Sequence, residues 1–194
     1  MKEIRISEIR ASAAAGTDNL ILTGRPIVYN EPTSISDPEI GLDIFTEIIH
    51  VGALDRADIA DTRLLYNHDS SRIPLARTPR TLQLTIDQAG LCMTAQLPNT
   101  EEARAVYTAV ERGDLSGMSF AFVVPEGGDS WEVGIKTRTR HIFKIKKIYE
   151  ISVVPYPAYS TTSVEARTAL QAFNTTERKR SIIALNQLLA KEFD

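Results

Sequence analysis

Gly117-Met118-Ser119-Phe120-Ala121-Phe122-Val123-Val124 is the stretch from which the rest of this 194-residue chain can be read. It is short and apolar, and Pro125 with Gly127-Gly128 behind it stops it, so it reads as a buried strand. Side chains alternate along a strand, which sends Met118, Phe120 and Phe122 one way and Ser119, Ala121 and Val123 the other. The aromatic side is core. On the smaller side, Gly117 lets a backbone or a ligand come close. A hydroxyl there must find a hydrogen-bond partner or do chemistry. A lone strand serine is more often packing than nucleophile, so the decision rests on what else the chain carries.

Immediately upstream lies the clearest helix. Asn99 can cap it, Glu102 follows three residues later as in a capping box, and Gly113 can close it. Ala103, Val106, Tyr107 and Val110 recur at i, i+3, i+4, i+7 and form its core face. Before it, Leu82–Ile86 and Leu91–Leu97 alternate strictly and are joined through Asp87-Gln88-Ala89-Gly90, a hairpin turn, which implies a sheet with one wet face. Ile73 to Arg80 reads as a strand, as does Arg63-Leu64-Leu65-Tyr66, which runs into the polar Asn67-His68-Asp69-Ser70-Ser71. Gly52-Ala53-Leu54 and the alternating charges to Asp61 predict a short helix. Further back, strands are expected over 3–9, 20–29 (interrupted at Gly24) and 45–49, with a Pro-, Ser- and Asp-rich loop from Asn30 to Gly41.

Downstream, strands are predicted from Trp131 to Thr139 and from Ile142 to Ile148. Lys136, Arg138, Arg140, Lys144, Lys146 and Lys147 alternate there with apolar residues and read as a solvated sheet face rather than an anion site. In Ile148-Tyr149-Glu150-Ile151-Ser152-Val153-Val154, period-two alternation puts Ile148, Glu150, Ser152 and Val154 on one face. A carboxylate in the middle of such a strand is expensive unless paired. Two helical stretches close the chain, Ser163 to about Phe173 and Thr175 to about Phe193. About ten strands with three or four helices make an α+β chain on a mostly antiparallel barrel or sandwich.

Composition narrows the function. A net charge of −3 and a pI near 5.7 argue against nucleic acid as the main partner. The single cysteine, Cys92, excludes an internal disulfide and fits a reducing compartment; flanked by Leu91 and Met93, it reads as a packed thiol. No apolar run approaches 18 residues and the start carries no signal-peptide core, so a soluble, cytoplasmic protein without a membrane partner is expected.

A serine nucleophile needs an imidazole to take its proton and a third group to fix the imidazole tautomer. The chain offers His50, His68 and His141. His50 ends a strand, and His141 lies in a cationic stretch that would depress its basicity. His68 sits where an apolar strand opens into polar residues, a position that presents a side chain to a cleft, although Asn67-His68-Asp69 is equally a capping turn. For the third member, Glu150 has the oddest environment, and Asp69 is the local competitor. Adjacent residues seldom form a well-oriented carboxylate–imidazole bond, which ranks Asp69 second. A metal-dependent hydrolase on His68, Asp69 and His50 is the weaker alternative, because no His-x-x-x-His or cysteine pair is present. Phosphate-cradling and Gly-x-Ser-x-Gly motifs are absent too.

Three segments, taken together, carry a family resemblance. Leu64-Leu65-Tyr66-Asn67-His68-Asp69, Gly113 to Phe122, and Tyr149-Glu150-Ile151-Ser152-Val153-Val154-Pro155-Tyr156-Pro157-Ala158-Tyr159 resemble the signature blocks of the prohead (head maturation) serine proteases of tailed bacteriophages. The likeness extends over roughly residues 3–167. That family is similar to the herpesvirus assembly proteases, which implies a β-barrel ringed by helices. It also implies Ser119 as nucleophile, His68 as general base and Glu150 as third member, where the herpesvirus relatives carry a second histidine. By the same resemblance, residues 1–167 are expected to form the protease barrel and 168–194 an amphipathic helical segment for dimerisation or capsid docking. The implied enzyme needs no cofactor or metal and forms a homodimer. Its substrates would be the scaffold or the scaffold-like amino-terminal segment of the major capsid protein, and itself, inside the assembling procapsid in the host cytoplasm. The competing expectation is a catalytically inactive capsid-assembly or scaffold-binding protein.

Overall fold

The computed structural model describes residues 9–13, 20–37, 42–134 and 138–155. In chain order these form β1 (Ile9–Ala13), β2 (Leu20–Val28), β3 (Thr33–Asp37), β4 (Leu42–Ile49), β5 (Arg63–Tyr66), β6 (Ala76–Arg77), β7 (Leu82–Asp87), β8 (Gly90–Leu97), α1 (Glu101–Arg112), β9 (Gly117–Val123), β10 (Asp129–Val133), β11 (Arg138–Ile142) and β12 (Lys147–Val154). The strands make three four-stranded sheets, ordered β1-β2-β8-β7, β10-β11-β4-β3 and β6-β5-β12-β9. Pairing is antiparallel except between β11 and β4 and between β12 and β5.

The expected mostly antiparallel sheet and the β7–β8 hairpin are therefore present, but the ladders do not close into a barrel among the described residues. One helix lies among them. The helical stretches expected over 163–193 fall outside the described residues, as does the strand expected over 3–8.

The first sheet is the alternation made solid. Leu91, Met93, Ala95 and Leu97 of β8 are buried, while Thr94 and Gln96 between them face out. Cys92 also lies on the outer side, half-buried against Asp87, and burial pushes its thiol pKa up, so it stays protonated. Asp87 closes the β7–β8 turn by accepting from the amides of Ala89 (2.8 Å) and Gly90 (3.0 Å), and Arg25 clamps it with two bonds of 2.6 and 2.7 Å. Gly90 has φ +141°, and a Cβ there would lie 2.0 Å from the carbonyl oxygen of Ile27, so only glycine fits the turn.

Helix α1 buries Ala103, Val106, Tyr107 and Val110, the face that the spacing predicts. Its cap is Thr100 rather than Asn99: Thr100 Oγ1 accepts from the Ala103 amide at 3.3 Å, while Asn99 accepts from Arg104 Nε. Gly113 ends it in the left-handed conformation, φ 82°.

Several boundaries differ from the sequence reading. Residues 51–56 form successive turns, with Ala53 bonded to His50 and Asp55 to Gly52, because no apolar face repeats there to hold a helix. Thr33–Asp37, expected as loop, is strand β3, recruited as an edge partner by β4. Of Ile73–Arg80 only Ala76–Arg77 pairs as strand. The largest correction is Arg140, expected on a wet cationic face. It is 2% exposed, donating from Nε to Asp129 (2.7 Å) and from Nη1 to Glu47 (3.0 Å). A buried guanidinium persists only with such carboxylate partners. Lys144 and Lys146 are exposed as expected, and Lys147 pairs with Asp58 at 2.8 Å; Lys136 lies outside the described residues.

Candidate active site

The third sheet brings the three sequence segments side by side. β12 is an inner strand, parallel to β5 and antiparallel to β9. On one face Leu64, Met118, Phe122, Ile151 and Val153 enter the main core, with Phe120 packed against it. On the other, Ser152 stands directly opposite Ser119, and Glu150 opposite Ala121. Directly opposed side chains share a face with Cβ atoms about 4.5–5.5 Å apart.

That face is made by an irregularity. The β12–β9 register shifts between Ile148, which pairs with Phe122, and Glu150, which pairs with Ala121. Tyr149 is the extra residue, half-exposed and unopposed. A bulge inserts one residue and so reverses which way the following side chains point. The expectation that Ile148 and Glu150 share a face is thus overturned: Ile148 is fully buried in the core and Glu150 faces the site.

His68 follows β5. The Asn67 amide extends the β5–β12 ladder by one bond, to the Val153 carbonyl at 2.9 Å, and the chain then turns left-handed at Asn67 (φ 51°) and His68 (φ 59°). This conformation costs a residue with a Cβ about 1–2 kcal/mol. One tertiary bond and one turn bond hold it: the His68 amide donates to Ser152 Oγ at 3.1 Å, and the Asp69 amide to the Tyr66 carbonyl at 3.1 Å.

The turn swings the imidazole over β12. His68 Nδ1 lies 2.5 Å from Glu150 Oε1, and both side chains are largely buried, 16% and 11% exposed. An ionised carboxylate only accepts, so Nδ1 carries the proton and Nε2 keeps its lone pair free to take another. Glu150 Oε2 accepts from Ser152 Oγ at 2.5 Å. Both carboxylate oxygens are thereby engaged in a site with little water, which resolves the cost of placing a carboxylate on this strand.

Asp69 is occupied elsewhere. It accepts from the Ser71 amide (3.0 Å) and hydroxyl (2.5 Å) and pairs with Arg72, which reaches Glu102 of α1 at 2.9 Å. The Ser71 hydroxyl bond holds its carboxyl below the ordinary range. It braces the loop instead of the imidazole. His50 and His141 bond one another at 2.9 Å and stack with Phe143, so neither His50 nor Asp69 joins His68. No cluster of three or more His, Cys, Asp or Glu side chains is arranged for a metal among the described residues.

Ser119 is partly exposed, whereas Ser152 opposite it is fully buried. No hydrogen bond joins Ser119 to His68 among the described residues; sites of this kind commonly close that contact only around substrate. Ser152 and the Tyr149 bulge escaped the sequence reading. The serine was visible as Glu150-Ile151-Ser152, a hydroxyl two residues from a buried acid; nothing in the sequence marked the bulge.

β12 thus carries Glu150 between the strand bearing Ser119 and the loop bearing His68. The family model of the caudovirus prohead serine proteases matches residues 6–178, and this chain belongs to that family. It is accordingly a serine protease of bacteriophage capsid maturation, acting on capsid proteins within the procapsid. Nothing among curated proteins or solved structures matches the chain. No helix among the described residues is long and apolar enough to cross a membrane.

Proposed function

We propose that this protein is an endopeptidase using Ser119 as nucleophile, His68 as general base and Glu150 as the group that orients and charges the imidazole. It cleaves the scaffold, or the scaffold-like amino-terminal segment of the major capsid protein, and itself, during procapsid maturation. The observation that carries this reading is the 2.5 Å bond between His68 Nδ1 and Glu150 Oε1, made on the strand next to the one bearing Ser119.

The chemistry follows from that bond. Ser119 Oγ attacks the scissile carbonyl carbon as its proton moves to His68 Nε2. The imidazolium that forms is stabilised by Glu150, and it returns the proton to the leaving amine as the acyl-enzyme appears. Water, deprotonated by the same nitrogen, then releases the acyl group. Residues 168–194, outside the described residues, would supply a homodimer interface or dock capsid protein.

The test is co-expression with the capsid-protein precursor. The active chain trims the precursor and is labelled at Ser119 by a fluorophosphonate, and Ser119→Ala abolishes both. An unlabelled wild-type chain that still promotes shell assembly would establish the other reading, an inactive assembly module.

A further inference from the structure

We propose that Ser152 is a positioning residue of this site, a buried hydroxyl that locks the carboxylate and the imidazole-bearing turn into one rigid unit. The inference rests on the Ser119–His68–Glu150 reading and extends it to a fourth side chain.

Ser152 has no exposed surface, so no substrate atom reaches it. Its one proton goes to Glu150 Oε2 (2.5 Å), and an oxygen lone pair receives the backbone amide of His68 (3.1 Å). A hydroxyl carries one donor and two acceptor sites, and the donor is fully committed here. Ser152 therefore does not compete for the imidazole with Ser119, though the two serines stand opposite one another on β12 and β9.

Two consequences follow from that bridge. With its second oxygen held, the carboxylate cannot swing about its terminal torsion, which is broad and soft when free. Its first oxygen therefore stays in line with Nδ1. The amide bond, for its part, holds His68 at φ 59°, a conformation a histidine leaves readily when unsupported. One side chain thus sets both the partner of the imidazole and the backbone from which the imidazole hangs. Misplacement of a catalytic group by about 1 Å is worth about 10²-fold in rate.

The experiment compares Ser152→Ala, Ser152→Cys and Ser119→Ala in the full chain, using a chromogenic ester and the fluorophosphonate. Ser152→Ala is expected to lower kcat and the labelling rate by about 10²-fold. KM should stay within about twofold, so that the loss falls on kcat. Ser152→Cys, which nearly keeps the volume and has a weak donor, is expected to fall between Ala and wild type; it carries the test alone if Ser152→Ala does not fold. Wild-type kcat and labelling rates in the Ser152 variants, with Ser119→Ala inert, overturn this inference and leave the parent reading standing. Labelling that persists in Ser119→Ala overturns the parent reading itself.

Discussion

Ile148 and Glu150, two residues apart on one strand, point to opposite faces of their sheet because Tyr149 bulges between them. Deleting Tyr149 would make Ile148 and Glu150 neighbours in a regular register, still opposite Phe122 and Ala121 and so still on opposite faces. The deletion is therefore expected to retain fluorophosphonate labelling. Tyr149→Ala, which keeps the bulge and changes a half-exposed side chain, is expected to shift stability by less than about 1 kcal/mol and to retain activity. Loss of labelling in the deletion but not in Tyr149→Ala would mean that the site needs the bulge itself and not only the facing of the two residues.

Glu150→Gln keeps the shape but presents an amide to His68 and Ser152, one of which must then meet the wrong end. The analogous change in other serine proteases costs about 10⁴ in kcat, through the wrong imidazole tautomer. Here too a fall of that order is expected, whereas Ser119→Ala costs up to about 10⁶. Single-turnover kinetics on a capsid-derived peptide would separate the two. A Glu150→Gln enzyme at full speed would dismiss the carboxylate from the mechanism.

Arg72 ties the His68 loop to the first turn of α1, so the helix start supports the site from below. Its cap, Thr100, accepts from the Ala103 amide. Thr100→Ala should destabilise the fold by about 1 kcal/mol, readable as a lowered midpoint in urea with unchanged slope. Asn99→Ala, by contrast, should do little, since that residue is not the cap.

Glu47 gives a pH dependence with a definite sign. Burial, only partly offset by Arg140, raises its pKa above the ordinary glutamate value. An acid whose pKa is higher folded than unfolded binds its proton more tightly in the native state. Its contribution to stability is therefore greatest below the unfolded pKa and declines as pH rises toward the folded one. The stability of wild type relative to Glu47→Gln should accordingly fall as pH is raised from below about 4. A relative gain over that window would show that the attraction of Arg140 outweighs the burial.

Much of this was legible in the residues. The helix stripe from Ala103 to Val110, the β7–β8 hairpin and the core face of Met118, Phe120 and Phe122 all follow from periodicity, which is a local property of the chain. What stayed hidden depends on partners distant in sequence. Arg140 looked like one more surface cation because its carboxylates, Glu47 and Asp129, lie on other strands. Thr33–Asp37 became a strand only through β4. Glu150 stood out as an acid in an apolar run, but the face it occupies was set by a bulge no propensity announces. The sequence ranks Glu150 above Asp69 as partner of His68, and the left-handed turn at Asn67 and His68, which no pattern announces, is what swings the ring away from its sequence neighbour.

The order of strands in the third sheet has a consequence for timing. β5 with His68 and β9 with Ser119 leave the ribosome first, yet neither pairs with the other; each pairs with β12, which lies between them and is made later. Until residues 147–154 are threaded into that slot, the histidine has no carboxylate and the serine no neighbouring strand. On the proposed site, a nascent or truncated chain thus carries no cutting edge, and the polypeptide is armed only by the last of the described strands to arrive.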